Sequence, residues 1–370
     1  MQRALRLAQR GAGWVAPNPL VGAVIVRDGT IIGQGYHKRF GQAHAEINAL
    51  EDCRRRGNDP AQAVLFVNLE PCCHHGKTPP CTEAIAKAKI KRVEIATLDP
   101  FAEVSGQGAR QLTQQGIDVK LGCGEKQALQ LNAGYFKFQK LRQPLVILKW
   151  AQSIDGKLAW PNKPTHDQKD LPSTQRWISN EKSRHEVHQL RAACGAVLVG
   201  IGTVIADDPL LTARLTRKSP QPLRLVLDSQ LRIPIKSRLI TSARQSPVLV
   251  CTSKQTAANQ PNKIQELTAL GGEVLPVTHR QGKINLNEVL TELGQRGVTD
   301  LLVEGGPTVL GSFLSQGLAD RLIIYIGSMI IGGNDHTASQ WSDIGDRYYR
   351  IDEMRTRRLN DNLVIEADLT

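Results

Sequence analysis

The sequence predicts two α/β domains joined in one chain of 370 residues. Three observations carry that expectation. Helical and strand periodicities alternate through both halves, as they do where helices cover a sheet. A proline at 144 interrupts the pattern between two long stretches, and no internal repeat or low-complexity tract is present. The length suits about two domains, and 41% hydrophobic with 22% charged residues is a globular composition.

In the first half, residues 2–9 read as a helix. Residues 22–26 and 30–36 read as strands of a hairpin turning at Asp28-Gly29, a pair suited to positive φ. A helix follows over 44–56, with Ile47, Ala49 and Leu50 inside it. Strand 63–68, helix 82–88, strand 92–96, helix 108–115, strand 117–120 and one long helix 125–141 complete the half.

Arg142-Gln143-Pro144 is the boundary, because proline disfavours helix in the residue before it. The domains are therefore 1–142 and 143–370. The second half opens with strand 145–150, then helix 180–192, strands 196–199, 223–227 and 248–251, and helix 263–270. Strand 300–303, a glycine turn, helix 308–316 and strand 321–326 follow.

Charge and cysteines narrow the function classes. Lys and Arg number 47 against 35 Asp and Glu, a formal +12, spread as 20 against 12 in residues 1–143 and 27 against 23 beyond. A nucleic-acid binder concentrates such charge in a patch; here Arg54-Arg55-Arg56 is the densest knot. No run reaches the roughly 18 apolar residues of a membrane helix, and the N-terminus lacks a signal peptide's apolar core. The chain reads as cytoplasmic. Seven cysteines, an odd count, point to reduced thiols, some of them metal ligands.

His44-Ala45-Glu46 opens a helix, and Pro71-Cys72 and Cys81 lie downstream. One imidazole and two thiolates suit Zn²⁺ and leave the fourth position for water, as a catalytic site requires. Residues two apart do not share a helical face, so His44 and Glu46 can converge only in the first turn. Zinc would lower the pKa of its water toward 7, and Glu46, the catalytic residue, would shuttle the proton. The proline-preceded Cys72 is favoured over Cys73 as ligand. Cys53, Cys123, Cys194 and Cys251 read as structural.

The pattern is close to that of zinc deaminases, H-x-E…P-C-x-x-C, with one departure: eight residues separate Cys72 from Cys81. The run Glu70-Pro71-Cys72-Cys73-His74-His75-Gly76-Lys77-Thr78-Pro79-Pro80-Cys81 resembles the loop of the bifunctional deaminase–reductases of riboflavin biosynthesis, the RibD family. Pro17-Asn18-Pro19-Leu20-Val21-Gly22-Ala23-Val24 is similar to that family's opening, and Asp99-Pro100 with Gly106-Gln107-Gly108 resembles its later turn. The resemblance implies a cytidine-deaminase-like first domain. It also implies that Asn18 and His37 shape a pyrimidine pocket, and that the inter-cysteine loop, with His74 and Lys77, contacts a ribose phosphate.

In the second half, Leu148-Lys149-Trp150-Ala151-Gln152-Ser153-Ile154-Asp155-Gly156-Lys157 resembles the first strand and turn of the family's reductase domain. The segment from Trp177 through Arg191 to Gly200-Ile201-Gly202-Thr203 and Arg214, and Val303-Glu304-Gly305-Gly306-Pro307-Thr308, are similar too. The resemblance implies a dihydrofolate-reductase-like fold and NADPH. Ala151, Trp177, Thr203, Asp207, Gly306, Pro307 and Thr308 would meet the cofactor, and Gln175, Arg191, Leu211, Arg214 and Glu304 the substrate. Free N–H groups where Glu304-Gly305-Gly306 turns into a helix can hold a cofactor phosphate, and Pro307 fits the first helical position. Arg191 and Arg214 are candidate clamps on a substrate phosphate. Lys149 assists the reaction or is a plain strand lysine. The polar stretch 161–170 departs from the family's short turn, and Gln175 stands where a serine is common.

The expected activity is hydrolytic loss of the 2-amino group from a 2,5-diamino-6-(ribosylamino)pyrimidinone 5′-phosphate, followed by NADPH-dependent reduction of ribosyl to ribityl. The expected partner is that small molecule, with no nucleic acid and no membrane, in a homo-oligomer. The rival is a nucleic-acid deaminase of the tRNA adenosine type with an accessory domain. Against it stand the long inter-cysteine loop and the 4% aromatic content available for base stacking.

Overall fold

The computed structural model describes residues 1–74, 79–101, 104–159, 177–215, 218–280, 282–333, 351 and 353–369. Lys77, Gln175 and the polar stretch 161–170 lie outside the described residues. The chain forms two compact units, Met1–Gln143 and Pro144–Thr370.

In the first unit α1 (Gln2–Ala8) runs through a 3₁₀ turn toward the hairpin β1 (Gly22–Arg27) and β2 (Thr30–Tyr36). Asp28 and Gly29 both have positive φ (50° and 74°), the geometry of a two-residue turn that matches strand twist. Then come α2 (Ala45–Arg55), β3 (Val64–Val67), α3 (Cys81–Lys87), β4 (Arg92–Ile95), α4 (Gln107–Gln114) and β5 (Asp118–Leu121). The sheet order is β2-β1-β3-β4-β5, with β1 antiparallel to both neighbours and β3, β4 and β5 parallel. Helix α2 lies so close on β2 that a Cβ on Gly35 would sit 2.4 Å from the Ala49 nitrogen. That close approach lets Ala45, Ala49 and Leu50 bury against Ile25, Leu65 and Val67.

The single helix expected over 125–141 is two: α5 (Glu125–Leu131) and α6 (Ala133–Leu141). Asn132 stands between them, its side chain accepting from Leu20 N (2.8 Å) and donating to Leu20 O (3.0 Å). A long-range amide pair outbids helical continuation there, which periodicity alone does not reveal.

The second unit contains β6 (Leu145–Gln152), α7 (Glu181–Ala193), β7 (Ala196–Gly200), α8 (Ile201–Asp207), β8 (Leu223–Leu227), α9 (Arg238–Thr241) and β9 (Val248–Ser253). It continues through α10 (Lys254–Asn259), α11 (Pro261–Ala269), β10 (Gly272–Val277), the small pair β11 (His279–Arg280) and β12 (Lys283–Ile284), and α12 (Leu286–Gln295). Then come β13 (Asp300–Val303), α13 (Pro307–Ser315), β14 (Arg321–Ile326), β15 (Glu353–Leu359) and β16 (Asn362–Asp368). Nine strands order as β10-β9-β8-β7-β13-β6-β14-β16-β15, parallel from β10 to β14 and antiparallel at the last two. Every residue of β7, Ala-Val-Leu-Val-Gly, is buried, as a strand covered on both faces requires. The strands β10, β11, β12, β15 and β16 and the helices α8, α9, α10 and α12 add to the elements expected from sequence. Residues at the carboxyl ends of β6, β7 and β13 are brought together by this register, where open α/β sheets bind ligands.

Candidate active sites

His44 sits at the N-cap of α2 in extended conformation (φ −71°, ψ 168°), and Glu46 follows in the first turn. The change of backbone direction at the cap lets two residues that a regular helix would separate face one cavity. His44 Nδ1 lies 3.5 Å from Cys72 Sγ and 3.4 Å from Cys81 Sγ. Tetrahedral zinc with bonds of about 2.3 Å to sulfur and about 2.0 Å to nitrogen puts such donors roughly 3.5 Å apart. The donor set therefore fits zinc as it stands, and among the described residues it is the one cluster of His, Cys or acidic donors close enough to hold an ion. Cys81 begins α3, and its N–H donates to Cys72 Sγ at 3.4 Å.

The electrostatics follow from burial and mutual contact. Hydrogen bonding from the Cys81 thiol, then from His44, holds the Cys72 thiol down at about 4, and the same pairing drives Cys81 up. The Cys72 contact, against burial, raises His44 to about 9. Glu46 is 3% exposed, and burial pushes its carboxyl up to about 7 despite His44.

A cavity of about 340 Å³ opens over these groups, lined among others by Asn18, His37, His74, Asp99, Phe101 and Tyr135. His37 Nδ1 is 3.1 Å from Ala43 O and its Nε2 is 3.2 Å from Asn18 Nδ2. A ring donating at Nδ1 and accepting at Nε2 satisfies both contacts, and burial lowers its pKa, favouring that neutral form. His74 has a buried Nδ1 without a partner among the described residues, as a group awaiting a polar ligand would.

Two acids escaped the sequence reading. Glu70 accepts from the N–H groups of Asp99 (3.2 Å), Gly106 (2.9 Å) and Ala109 (3.0 Å), tying the β3 exit to the start of α4. Asp99 accepts from Phe101 N and the Tyr135 hydroxyl, and burial raises it to about 6. Both stand in motifs visible in the sequence, but the partners of Glu70 are 29 to 39 residues away and the Tyr135 partner of Asp99 is 36 away.

In the second unit Glu304, at the end of β13, forms a two-bond pair with Arg191 of α7 (2.6 and 2.9 Å) and lies 3.5 Å from Lys149 of β6. Burial works to raise the Glu304 carboxyl, but Arg191 and Lys149 overcome it and hold it down at about 2. Burial lowers Lys149, only partly opposed by Glu304. The Arg191 fork expected on a phosphate is thus engaged by Glu304, with Nη1 also 3.3 Å from Thr212 O. Glu304, expected on the substrate, uses both oxygens on Arg191. Arg214 remains exposed beside them.

The positions expected to meet the cofactor lie on neighbouring elements. Ala151 is on β6 opposite Tyr325, and Thr203 and Asp207 are on α8. Leu211, expected on the substrate, is buried with φ 54°. Gly306 caps α13 ahead of Pro307 and Thr308. A Cβ on Gly306 or Gly202 would meet nothing within 4 Å among the described residues, which leaves the backbone there open to a phosphate. Trp177 is exposed, with the Arg184 guanidinium 5.1 Å from its ring centroid.

A zinc-binding α/β unit with a buried glutamate defines the first class, a deaminase, and the mostly parallel second unit defines a reductase-type partner. Residues 1–97 match the cytidine and deoxycytidylate deaminase zinc-binding region, and residues 144–365 match the RibD C-terminal domain. The riboflavin biosynthesis protein RibD of Aquifex aeolicus is 40% identical over 332 residues, 90% of this chain and 87% of that protein. The Escherichia coli RibD is 36% identical over 346 residues, 90% and 88% of the two chains. The crystal structure of the Thermotoga maritima diaminohydroxyphosphoribosylaminopyrimidine deaminase/5-amino-6-(5-phosphoribosylamino)uracil reductase superposes with TM-score 0.82 at 34% identity, covering 100% of this chain and 97% of that one. An Acinetobacter baumannii RibD structure gives 0.79 at 34% identity, with coverage of 100% and 97%. The chain belongs to the RibD family, the zinc- and NADPH-dependent bifunctional deaminase–reductases of riboflavin biosynthesis. The nucleic-acid deaminase reading is not favoured, since its accessory half matches a reductase.

Proposed function

We propose that the first unit removes the 2-amino group of a 2,5-diamino-6-(ribosylamino)pyrimidin-4-one 5′-phosphate and the second reduces the ribosyl group of the product to ribityl. The observation that carries this is the convergence of His44, Cys72 and Cys81 at zinc-donor spacing beside the buried Glu46. Zinc held there supplies a water acidified toward neutral pH. Glu46 takes a proton from the attacking water and delivers it to the departing amino nitrogen. Asn18, His37 and His74 hold the ring and ribose, and Lys77 meets the phosphate.

Residues of α8 and the Gly306 turn would hold NADPH, which would supply the hydride needed to reduce a ring-opened, imine-like ribosyl carbon. Lys149, Arg191 and Glu304 form a charged wall that orients the open chain, and Arg214 meets its phosphate. On the same reading the chain works as a cytoplasmic homo-oligomer without nucleic acid. No described helix is long and apolar enough to cross a membrane.

Mass spectrometry of the pyrimidine phosphate, without and then with NADPH, tests the proposal alongside Glu46→Gln. Wild type should replace one amino group by oxygen and gain two hydrogens only with NADPH. Glu46→Gln should lose deamination by about 10²–10⁴-fold with full zinc content. Deamination retained by the zinc-loaded variant would reject the role of Glu46.

A further inference from the structure

Arg214 is exposed, and a long guanidinium on a loop loses considerable freedom when it grips an anion. The second unit contains a group placed to restrict it. His188 lies on α7 one turn before Arg191, with Nδ1 3.2 Å from Thr212 O and Nε2 3.4 Å from Arg214 Nη2. The Arg214 N–H also lies 3.3 Å from Nδ1. Thr212 O is shared, since Arg191 Nη1 reaches the same carbonyl at 3.3 Å. His188 thus joins the loop bearing Arg214 to the helix bearing Arg191, whose own fork is closed by Glu304.

We propose that His188 is a positioning residue for phosphate recognition in the reductase site, acting through Arg214. As the Nδ1–H tautomer it donates to Thr212 O and offers the Nε2 lone pair to the Arg214 guanidinium, at the expense of the contact from the Arg214 backbone N–H, which only an unprotonated Nδ1 could accept. The remaining N–H groups of Arg214 are then aimed as a preformed fork at the phosphate. The arrangement needs a neutral ring, because an imidazolium has no lone pair to offer. Burial, then the Arg191 and Arg214 charges, hold His188 at about 4 against the Thr212 hydrogen bond and Glu304, so the ring is neutral near pH 7. The inference rests on the reading of Arg214 as the phosphate contact.

The test is steady-state reduction by the full-length, zinc-loaded enzyme at saturating NADPH, using the deaminated ribosylaminopyrimidine with and without its 5′-phosphate. His188→Leu should raise KM for the phosphorylated substrate about tenfold with kcat within about twofold, and should leave the dephosphorylated substrate within about twofold. His188→Gln can accept from Arg214 and donate to Thr212 O, and should restore KM to within about threefold of wild type. Unchanged NADPH affinity checks that the site is folded in each variant. In the double variant with Arg214→Ala, loss of His188 should cost nothing more, because its effect passes through Arg214. Additive losses would overturn the proposal, as would an equal KM rise for both substrates. Should Arg214→Ala fail to distinguish the two substrates, the phosphate reading of Arg214 fails; non-additivity would still show that His188 acts through Arg214.

Discussion

Replacing Glu70 by glutamine tests how the deaminase pocket is held open. Glu70 is 4% exposed, and its carboxylate accepts three backbone N–H groups, two at Oε2 and one at Oε1. Glutamine has the same shape but must place an amide NH₂ where one of those oxygens was. Facing the Ala109 N–H is the least costly choice, and it sets donor against donor. Hydrogen bonds to a charged group contribute about 1.5–3 kcal/mol, and the two retained bonds weaken when the acceptor becomes neutral, for a total near 3 kcal/mol. In a unit of this size each kcal/mol shifts the melting temperature by roughly 3–4 °C, so a fall of about 10 °C is expected. Calorimetry on zinc-loaded enzyme would read it, with exposed Glu51→Gln as the control. Deaminase KM should rise as well, because Asp99 and Phe101 line the cavity and take their places from this anchor. A melting temperature within about 2 °C of wild type would refute the reasoning and mean that the three bonds give no net stabilisation.

Removing zinc with a chelator should abolish deamination while NADPH-dependent reduction of pre-deaminated substrate continues; loss of both activities together would contradict separate chemistries. The Glu304 carboxyl, held at about 2 in the folded chain, stabilises above its ordinary value near 4.3, and that stabilisation is lost as pH falls toward 2. Wild type should therefore exceed Glu304→Gln in stability at pH 6 by about 3 kcal/mol, with the gap narrowing as pH falls below about 4.5. Parallel denaturation curves at pH 6 and pH 3 with the same gap would exclude the charge pairing as its source.

Much of the fold was legible because its signals are local. Asp28-Gly29 specifies its turn, and the apolar runs of β7 and β13 specify buried strands. Asn132 was illegible, since its helix-breaking partner Leu20 lies 112 residues away. The cluster of His44, Cys72 and Cys81, which has the spacing of zinc donors, could be named from residue type, order and helix position, because a metal site demands particular side chains. Glu70 could be seen but not interpreted, since a carboxylate serving remote backbone N–H groups has the same sequence appearance as a solvated one. In the reductase half the sequence supplied Arg191, Arg214, Glu304 and Lys149 as charged residues of suitable chemistry. Tertiary structure decided which pair: the parallel register of β6, β13 and β7 brings Glu304 to Lys149 and Arg191 across 113 residues of chain from the latter, and leaves Arg214 to His188. Residue types fix what chemistry is available, whereas partnership between charges depends on distances of a few ångströms that only the folded register sets.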